Sequence, residues 1–215
     1  TGRILQTLRD LGIDKNTLVF FTNDNGGAGK TSSGPLRGAK FGPKYEGHMR
    51  VATLAWWPSK IPAGSVSPEI MTTTDLFPTI AKLAGQQVPN DRIVDGEDIG
   101  DILLGKPGAK SPHRTLFYEK DGIRQGNWKL VHYRKRPDWV TELYDLDTDI
   151  GEQNNLADQY PDRVKAMKAL LDIHVAKLET NTRPAAFVDN PKSLLSSAAG
   201  LPTLARLRSS GGLPE

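Results

Sequence analysis

Thr17-Leu18-Val19-Phe20-Phe21-Thr22 runs directly into Asn23-Asp24-Asn25-Gly26-Gly27, and that junction constrains the fold more than any other stretch. A short continuous apolar run with β-branched and aromatic residues suits a strand buried on both faces, as in a sheet covered by helices. Before it, Ile4, Leu5, Leu8 and Leu11 keep helical spacing, so residues 3–11 read as a helix stopped by Gly12. Helix, brief glycine turn and buried strand together predict an α/β layer architecture. Open α/β sheets bind their ligands beyond the C-terminal ends of strands, which is where Asp24 and Asn25 fall.

Residues 28–50 are rich in Gly, Lys and Ser with little periodicity. A loop of that length inside a compact domain is usually functional. Val51–Trp57 reads as another buried strand, ended by Pro58. Thr74 or Asp75 would cap a helix through Leu83, with Leu76, Phe77, Ile80 and Leu83 on one face, Pro78 in the first turn and Gly85 just past the end. From about residue 110 the character changes. Thr115–Glu119, Gly122–Gln125, Trp128–Tyr133 and Glu142–Tyr144 are short strand candidates, separated by Asp121-Gly122, Gly126-Asn127 and Arg136-Pro137-Asp138. That spacing predicts a small antiparallel sheet. A long amphipathic helix over residues 162–178 follows, with Val164, Met167, Leu171, Val175 and Leu178 as its apolar stripe. Past Thr180 the pattern lapses into Pro, Ser, Gly and Ala, as in a loosely ordered tail.

Composition narrows the function classes. Over 215 residues, 37% hydrophobic and 25% charged content allow a packed core, and a net charge of +3 with scattered Lys and Arg does not describe a nucleic-acid protein. There is no cysteine, which removes disulfides, thiolate metal sites and a Cys nucleophile. No apolar run approaches the roughly 20 residues that span a bilayer. The first residues show no signal-peptide pattern and begin as though mid-helix, so the chain reads as an excerpt.

Asp24 and Asn25 offer a carboxylate and an amide oxygen side by side. Hard divalent cations prefer such donors, although Asp-Asn-Gly is also ordinary turn chemistry. Trp56, Trp57, Trp128 and Trp139 are read as packing residues, with a pocket for an aromatic ester as the alternative. His113, His132 and His174 read as structural.

Read in order, several stretches resemble the C-terminal half of type I (formylglycine-dependent) sulfatases, or arylsulfatases, of the alkaline phosphatase superfamily. The first is residues 11–26, similar to the family's helix, strand and "DNG" turn. The second is Gly34-Pro35-Leu36-Arg37-Gly38-Ala39-Lys40 with Tyr45-Glu46-Gly47 and Arg50-Val51, similar to its "LRGxK…EGG.RVP" loop. Trp57–Gly64 with Thr74–Thr79 follows, then Glu142–Leu146 with Glu152 and Asn155-Leu156-Ala157. The resemblance spans roughly residues 1–180 and implies an α/β fold: the C-terminal part of an alkaline-phosphatase-like α/β/α sandwich over 1–109, then a small antiparallel sheet packed with a long helix over 110–180, then the tail over 181–215.

The resemblance also implies chemistry. Asp24 and Asn25 would be ligands of Ca2+, or of Mg2+ as in some members, and would form half a site. Lys40 would contact the sulfate of a sulfate ester. In such enzymes a formylglycine hydrate attacks sulfur and releases the alcohol, but its precursor has no counterpart here. Ser33-Gly34-Pro35-Leu36-Arg37 satisfies the bare S-x-P-x-R pattern, yet Gly38-Ala39-Lys40 follows where a Leu-Thr-Gly turn is expected, so the match is coincidental. The loop holds one residue more than the pattern between Lys40 and Glu46. Lys44 is therefore a competitor for the sulfate role, with Lys40 preferred on the "LRGxK" side. His48 stands where the pattern has glycine, and is either a substrate-pocket residue or a loop histidine. The resemblance implies a periplasmic or secreted setting and a missing N-terminal part of the same enzyme as partner. Two other readings remain open: a phosphatase or phosphodiesterase of the same superfamily, against which the absence of a D-x-x-x-H or H-x-H cluster counts, and a non-catalytic truncated scaffold or binding module.

Overall fold

A computed structural model describes residues 1–29 and 31–181. The expected loose tail lies almost wholly outside the described residues. Residues 1–179 pack as one compact unit, and the change of character near residue 110 falls inside it.

Helix α1, Gly2–Asp10, ends as its sequence predicts. Gly12 takes a positive φ of 67°, and the Gly12 and Ile13 N–H groups close on the carbonyls of Arg9 and Leu8. Strand β1, Val19–Phe21, pairs antiparallel with β2, Leu54–Trp56, in a two-stranded sheet with Phe20 opposite Ala55. Burial on both faces is corrected here. Phe21 is 44% exposed and Leu54 66% exposed, because a ribbon with no third strand among the described residues has no layer to cover both its faces.

Helix α2 (Glu46–Met49) lies on the loop preceding β2, and helices α3 (Leu76–Leu83) and α4 (Gly100–Leu103) lie between β2 and the second sheet. The apolar face expected on α3 is also corrected: Phe77 and Ile80 are exposed, while Asp75, Pro78 and Thr79 are buried. Polar anchors decide which side turns inward. The Asp75 carboxylate accepts the Thr72 N–H at 2.7 Å, the Glu97 N–H at 2.9 Å and the His113 imidazole at 2.8 Å. Thr79 Oγ1 accepts the Ile99 N–H at 3.0 Å. A buried carboxylate stripped of these partners would be costly, so they hold that side of the helix against the chain. His113 is structural, as read.

The second sheet is an antiparallel meander, β3 (Thr115–Phe117), β4 (Gly122–Gln125), β5 (Trp128–Lys135) and β6 (Asp138–Asp145), in that spatial order. β3 stops two residues early because Glu119 adopts a φ of 53° in the turn to β4. β6 starts four residues early because Asp138 to Thr141 pair with Lys135 to His132. Helix α5, Pro161–Asn181, lies across one face. Ile123, Leu130 and Leu143 on the strands meet Met167 and Leu171 on the helix, with Val164 and Val175 at the margin, so the predicted stripe is the contact. Strand alternation sends the intervening residues, Lys129, Val131 and Tyr144, to the opposite face. There Val131, Tyr144 and Leu146 pack on Tyr45, which belongs to the 28–50 loop.

His174 stacks on Phe117 with ring centroids 4.0 Å apart, and His132 on Trp139 at 4.8 Å. Burial holds both imidazoles below the ordinary histidine pKa, with Lys168 adding to the effect at His132. A depressed folded value means the unfolded chain binds more protons as pH drops through about 6.5, so stability falls in that direction. Thermal melts between pH 8 and pH 5.5 should show Tm declining toward acid. Variant His174→Gln should flatten that slope; an unchanged slope would refute the assignment.

Candidate metal and anion site

The turn after β1 forms one wall of an open concavity of about 600 Å3, lined by Asn23 to Ala28, Thr31 to Ser33, Leu36 and Arg50 to Ala52. Its shape depends on two backbones touching. A Cβ on Gly26 would stand 1.8 Å from the Gly47 carbonyl oxygen, and one on Gly47 would stand 2.5 Å from the Arg37 oxygen. Gly26 N–H donates to the His48 carbonyl at 2.7 Å, Gly47 N–H to Arg37 at 2.7 Å, and Lys40 N–H to Gly27 at 2.9 Å. The glycine of Asp-Asn-Gly therefore serves close approach more than turn conformation.

Lys40 and Asp24 face each other across this seam, with Nζ 4.0 Å from Oδ2. The Asp24 side chain is 83% exposed and that of Lys40 33%. The Asn25 amide nitrogen donates to the Gly26 carbonyl at 2.8 Å, and its amide oxygen accepts no hydrogen bond among the described residues. Two hard oxygen donors thus line the concavity, and an ammonium that does not itself line it approaches one of them to 4.0 Å. That donor chemistry suits Ca2+, which takes six to eight oxygens, but two groups fill only a minor part of such a shell. Among the described residues no group of three His, Asp or Glu side chains could close the shell.

The competitors fall elsewhere. Lys44 is largely buried and pairs with Glu119 at 3.2 Å. His48 Nδ1 is held by the Gly42 carbonyl at 2.9 Å, and His48 does not line the concavity. Ser33, the serine of the coincidental S-x-P-x-R match, gives its hydroxyl to the Gly47 carbonyl at 3.0 Å.

Sequence reasoning missed what holds this loop. Glu46 is buried, and its Oε1 accepts from the fully buried Lys129 at 2.9 Å and from Tyr118 at 3.2 Å. Arg124 and Arg50 each lie 3.8 Å from its other oxygen. Glu152 accepts the Glu46 N–H at 2.6 Å and lies 3.0 Å from Lys129 Nζ, although that second oxygen makes no hydrogen bond. Burial pushes both carboxyls up. For Glu46 the adjacent Lys129, Arg124 and Arg50 together outweigh burial and the result is lowered, whereas Glu152 stays raised. Arg37 completes the brace by stacking 4.0 Å over Tyr45 and donating to Tyr144 and to the Glu152 carbonyl, each at 2.7 Å. Arg37, Tyr45, Glu46, Tyr144 and Glu152 fall in stretches the sequence singled out, but nothing there pairs them with one another or with Lys129. Lys129 occupies an alternate strand position that pattern alone assigns to solvent.

Residues 1–86 match the Sulfatase family profile. The chain is 44% identical over 148 residues to the N-acetylgalactosamine-6-sulfatase of Canis lupus familiaris, covering 64% of this chain and 28% of that protein. It is 36% identical over 206 residues to the arylsulfatase A of Bos taurus, covering 79% of this chain and 40% of that one. A solved structure described under the metabolism of multiple glycosaminoglycans by Bacteroides thetaiotaomicron superposes with a TM-score of 0.71 at 27% identity, covering 81% of this chain and 42% of its own. The fold is shared with solved sulfatase structures. The chain belongs to the sulfatase family, and it spans well under half the length of these relatives.

Proposed function

We propose that this chain supplies one wall of a sulfuric ester hydrolase site, with Asp24 and Asn25 as ligands of a divalent cation, Ca2+ or Mg2+, and Lys40 as the counter-charge to the sulfate. The observation that supports this reading is the 4.0 Å approach of Lys40 Nζ to the Oδ2 of Asp24, which lines the concavity. A bound cation would supply fixed positive charge to the sulfate oxygens. Lys40 places a second positive charge, held to the turn by its own backbone N–H, where negative charge develops as the S–O bond breaks. The Glu46, Lys129 and Glu152 brace keeps that loop in register with the turn. The remaining ligands and the nucleophile belong, in this proposal, to an N-terminal part of the same enzyme, so the 215-residue chain should not turn over an aryl sulfate with or without Ca2+.

Calorimetric titration tests the site. Ca2+ should bind weakly, with Kd on the order of 0.1–1 mM for so few ligands, and Asp24→Asn should abolish it. Variant Lys40→Met should tighten Ca2+ up to about fivefold by removing a competing charge, while losing any response to inorganic sulfate. Calcium binding indifferent to Asp24, or calcium-dependent turnover by this chain, would sink the reading.

A further inference from the structure

The hairpin of β5 and β6 carries a second anion-binding feature remote in sequence from Asp24 and Lys40. Arg134, Lys135 and Arg136 are consecutive and exposed, and none of them makes an ion pair among the described residues. Such cations usually find a carboxylate or stay dispersed. Here the one acidic residue at the tip, Asp138, stands opposite Lys135 in register without closing a salt bridge. Beside them Trp139 is 59% exposed, which corrects its reading as a packing residue. One face of its indole lies flat on His132, with an interplanar angle of 7°, and His132 is itself fixed by Thr141 Oγ1 at 2.9 Å from Nδ1. Cross-strand pairing sets Arg134 directly opposite Trp139, so both side chains leave the same face of the hairpin.

A flat aromatic surface, pre-set by a stacked imidazole and bordered by unpaired guanidinium groups, is a pairing of chemistries that few ligands match at once. A pyranose ring offers a C–H face that stacks on an aromatic, and a sulfate substituent offers a planar edge of oxygens to a guanidinium. Large aromatic side chains left open to water beside charge also mark interaction surfaces generally. From this juxtaposition we infer that the Arg134–Trp139 hairpin tip is an accessory binding site for a sulfated polysaccharide chain. The choice of sulfate as the anion rests on the function proposed above; the existence of an anionic-sugar platform rests on the hairpin alone.

The test uses the full 215-residue chain on immobilised chondroitin sulfate, with dissociation constants measured in solution against the same polymer. Variant Arg134→Gln/Arg136→Gln should weaken binding about tenfold, as expected for two surface charges acting together. Trp139→Ala should weaken it about fivefold for loss of the stacking surface, while lowering Tm by only about 2–4 °C for the lost contact with His132. The control Arg3→Gln/Lys60→Gln removes the same net charge elsewhere and should leave affinity within about twofold of wild type. Equal losses in the control, or equal binding of the chemically desulfated polymer, would overturn the inference. So would a Trp139→Ala variant that binds as wild type does. Polyglutamate or a single-stranded oligonucleotide held as tightly, with the same dependence on Trp139, would reassign the tip to polyanions or nucleic acid and also overturn it. Failure here leaves the Ca2+ titration of Asp24 untouched, and failure of that titration leaves the hairpin result standing, so the two readings fall separately.

Discussion

Lys129→Met is expected to destabilise the chain by about 3–5 kcal/mol, the range seen when one partner of a buried ion pair is removed and its counter-charges are stranded. Lys129 has no solvent exposure, and both Glu46 and Glu152 lie within 3.0 Å of its ammonium. Methionine keeps most of the volume, so the loss would report charge and not packing. Two further features separate this account from a simple cavity effect. Adding Glu46→Gln to Lys129→Met should recover part of the loss, giving a coupling energy in a double-mutant cycle. The deficit should also shrink as pH falls. Without the ammonium, both carboxyls would have folded pKa values above their unfolded ones. Their protonated forms then contribute stability that is present at low pH and lost as pH rises through the folded values. Urea melts at pH 7 and pH 5 give the comparison. A deficit that is the same at both, or under 1 kcal/mol at pH 7, would mean Lys129 is not holding two ionised partners.

Gly26→Ala is expected to cost more than about 4 kcal/mol, or else to displace the turn that carries Asp24 and Asn25. The added methyl would meet the Gly47 carbonyl oxygen at 1.8 Å, and that atom is backbone, pinned in turn by Ser33 and by the Gly47 contact to Arg37. Gly27→Ala makes the contrast. Its methyl would meet the Ser33 and Thr31 hydroxyls at 3.0 Å and the Thr31 carbonyl oxygen at 3.2 Å, contacts that small local shifts relieve, unlike the 1.8 Å overlap at Gly26. Denaturant melts should therefore rank Gly26→Ala far below Gly27→Ala. Calcium titration should find the Asp24 site lost in the first and retained in the second. Equal stabilities would contradict the seam between the two loops.

The C-terminal subdomain was the most legible part of the sequence. Its strands announce themselves by short β-rich runs between turn residues, and its helix by a stripe of Val164, Met167, Leu171 and Val175, because both periodicities are local and the core they form is built almost wholly from within the segment. The first hundred residues were legible only in part. The run at 17–22 was recognisable as a strand, and helix α3 as a helix, but the depth of burial was not. Burial depends on neighbouring layers, and the described residues cover neither face of β1 completely. Trp139 shows the same limit in reverse: indole hydrophobicity suggests the interior, yet the hairpin carries it past the end of the sheet's covering.

The candidate site divides along the same line. Asp24, Asn25 and Lys40 could be named from the sequence because the donors are adjacent residues at a strand end and the lysine sits in a recognisable loop. The brace beneath them could not. Glu46, Lys129 and Glu152 are far apart in the sequence; Lys129 reads as an ordinary surface charge, and nothing in the motifs that hold Glu46 and Glu152 pairs them with it.

The residues alone thus named the candidate ligands and determined which segments become helix or strand, since both readings rest on residue type and spacing over a few neighbours. The tertiary structure alone decided which charges are buried and where two backbones touch, along with which aromatic face is left open. Those outcomes arise from contacts between segments far apart in the chain, and the electrostatic cost of burying a charge is settled only when its partners arrive from elsewhere.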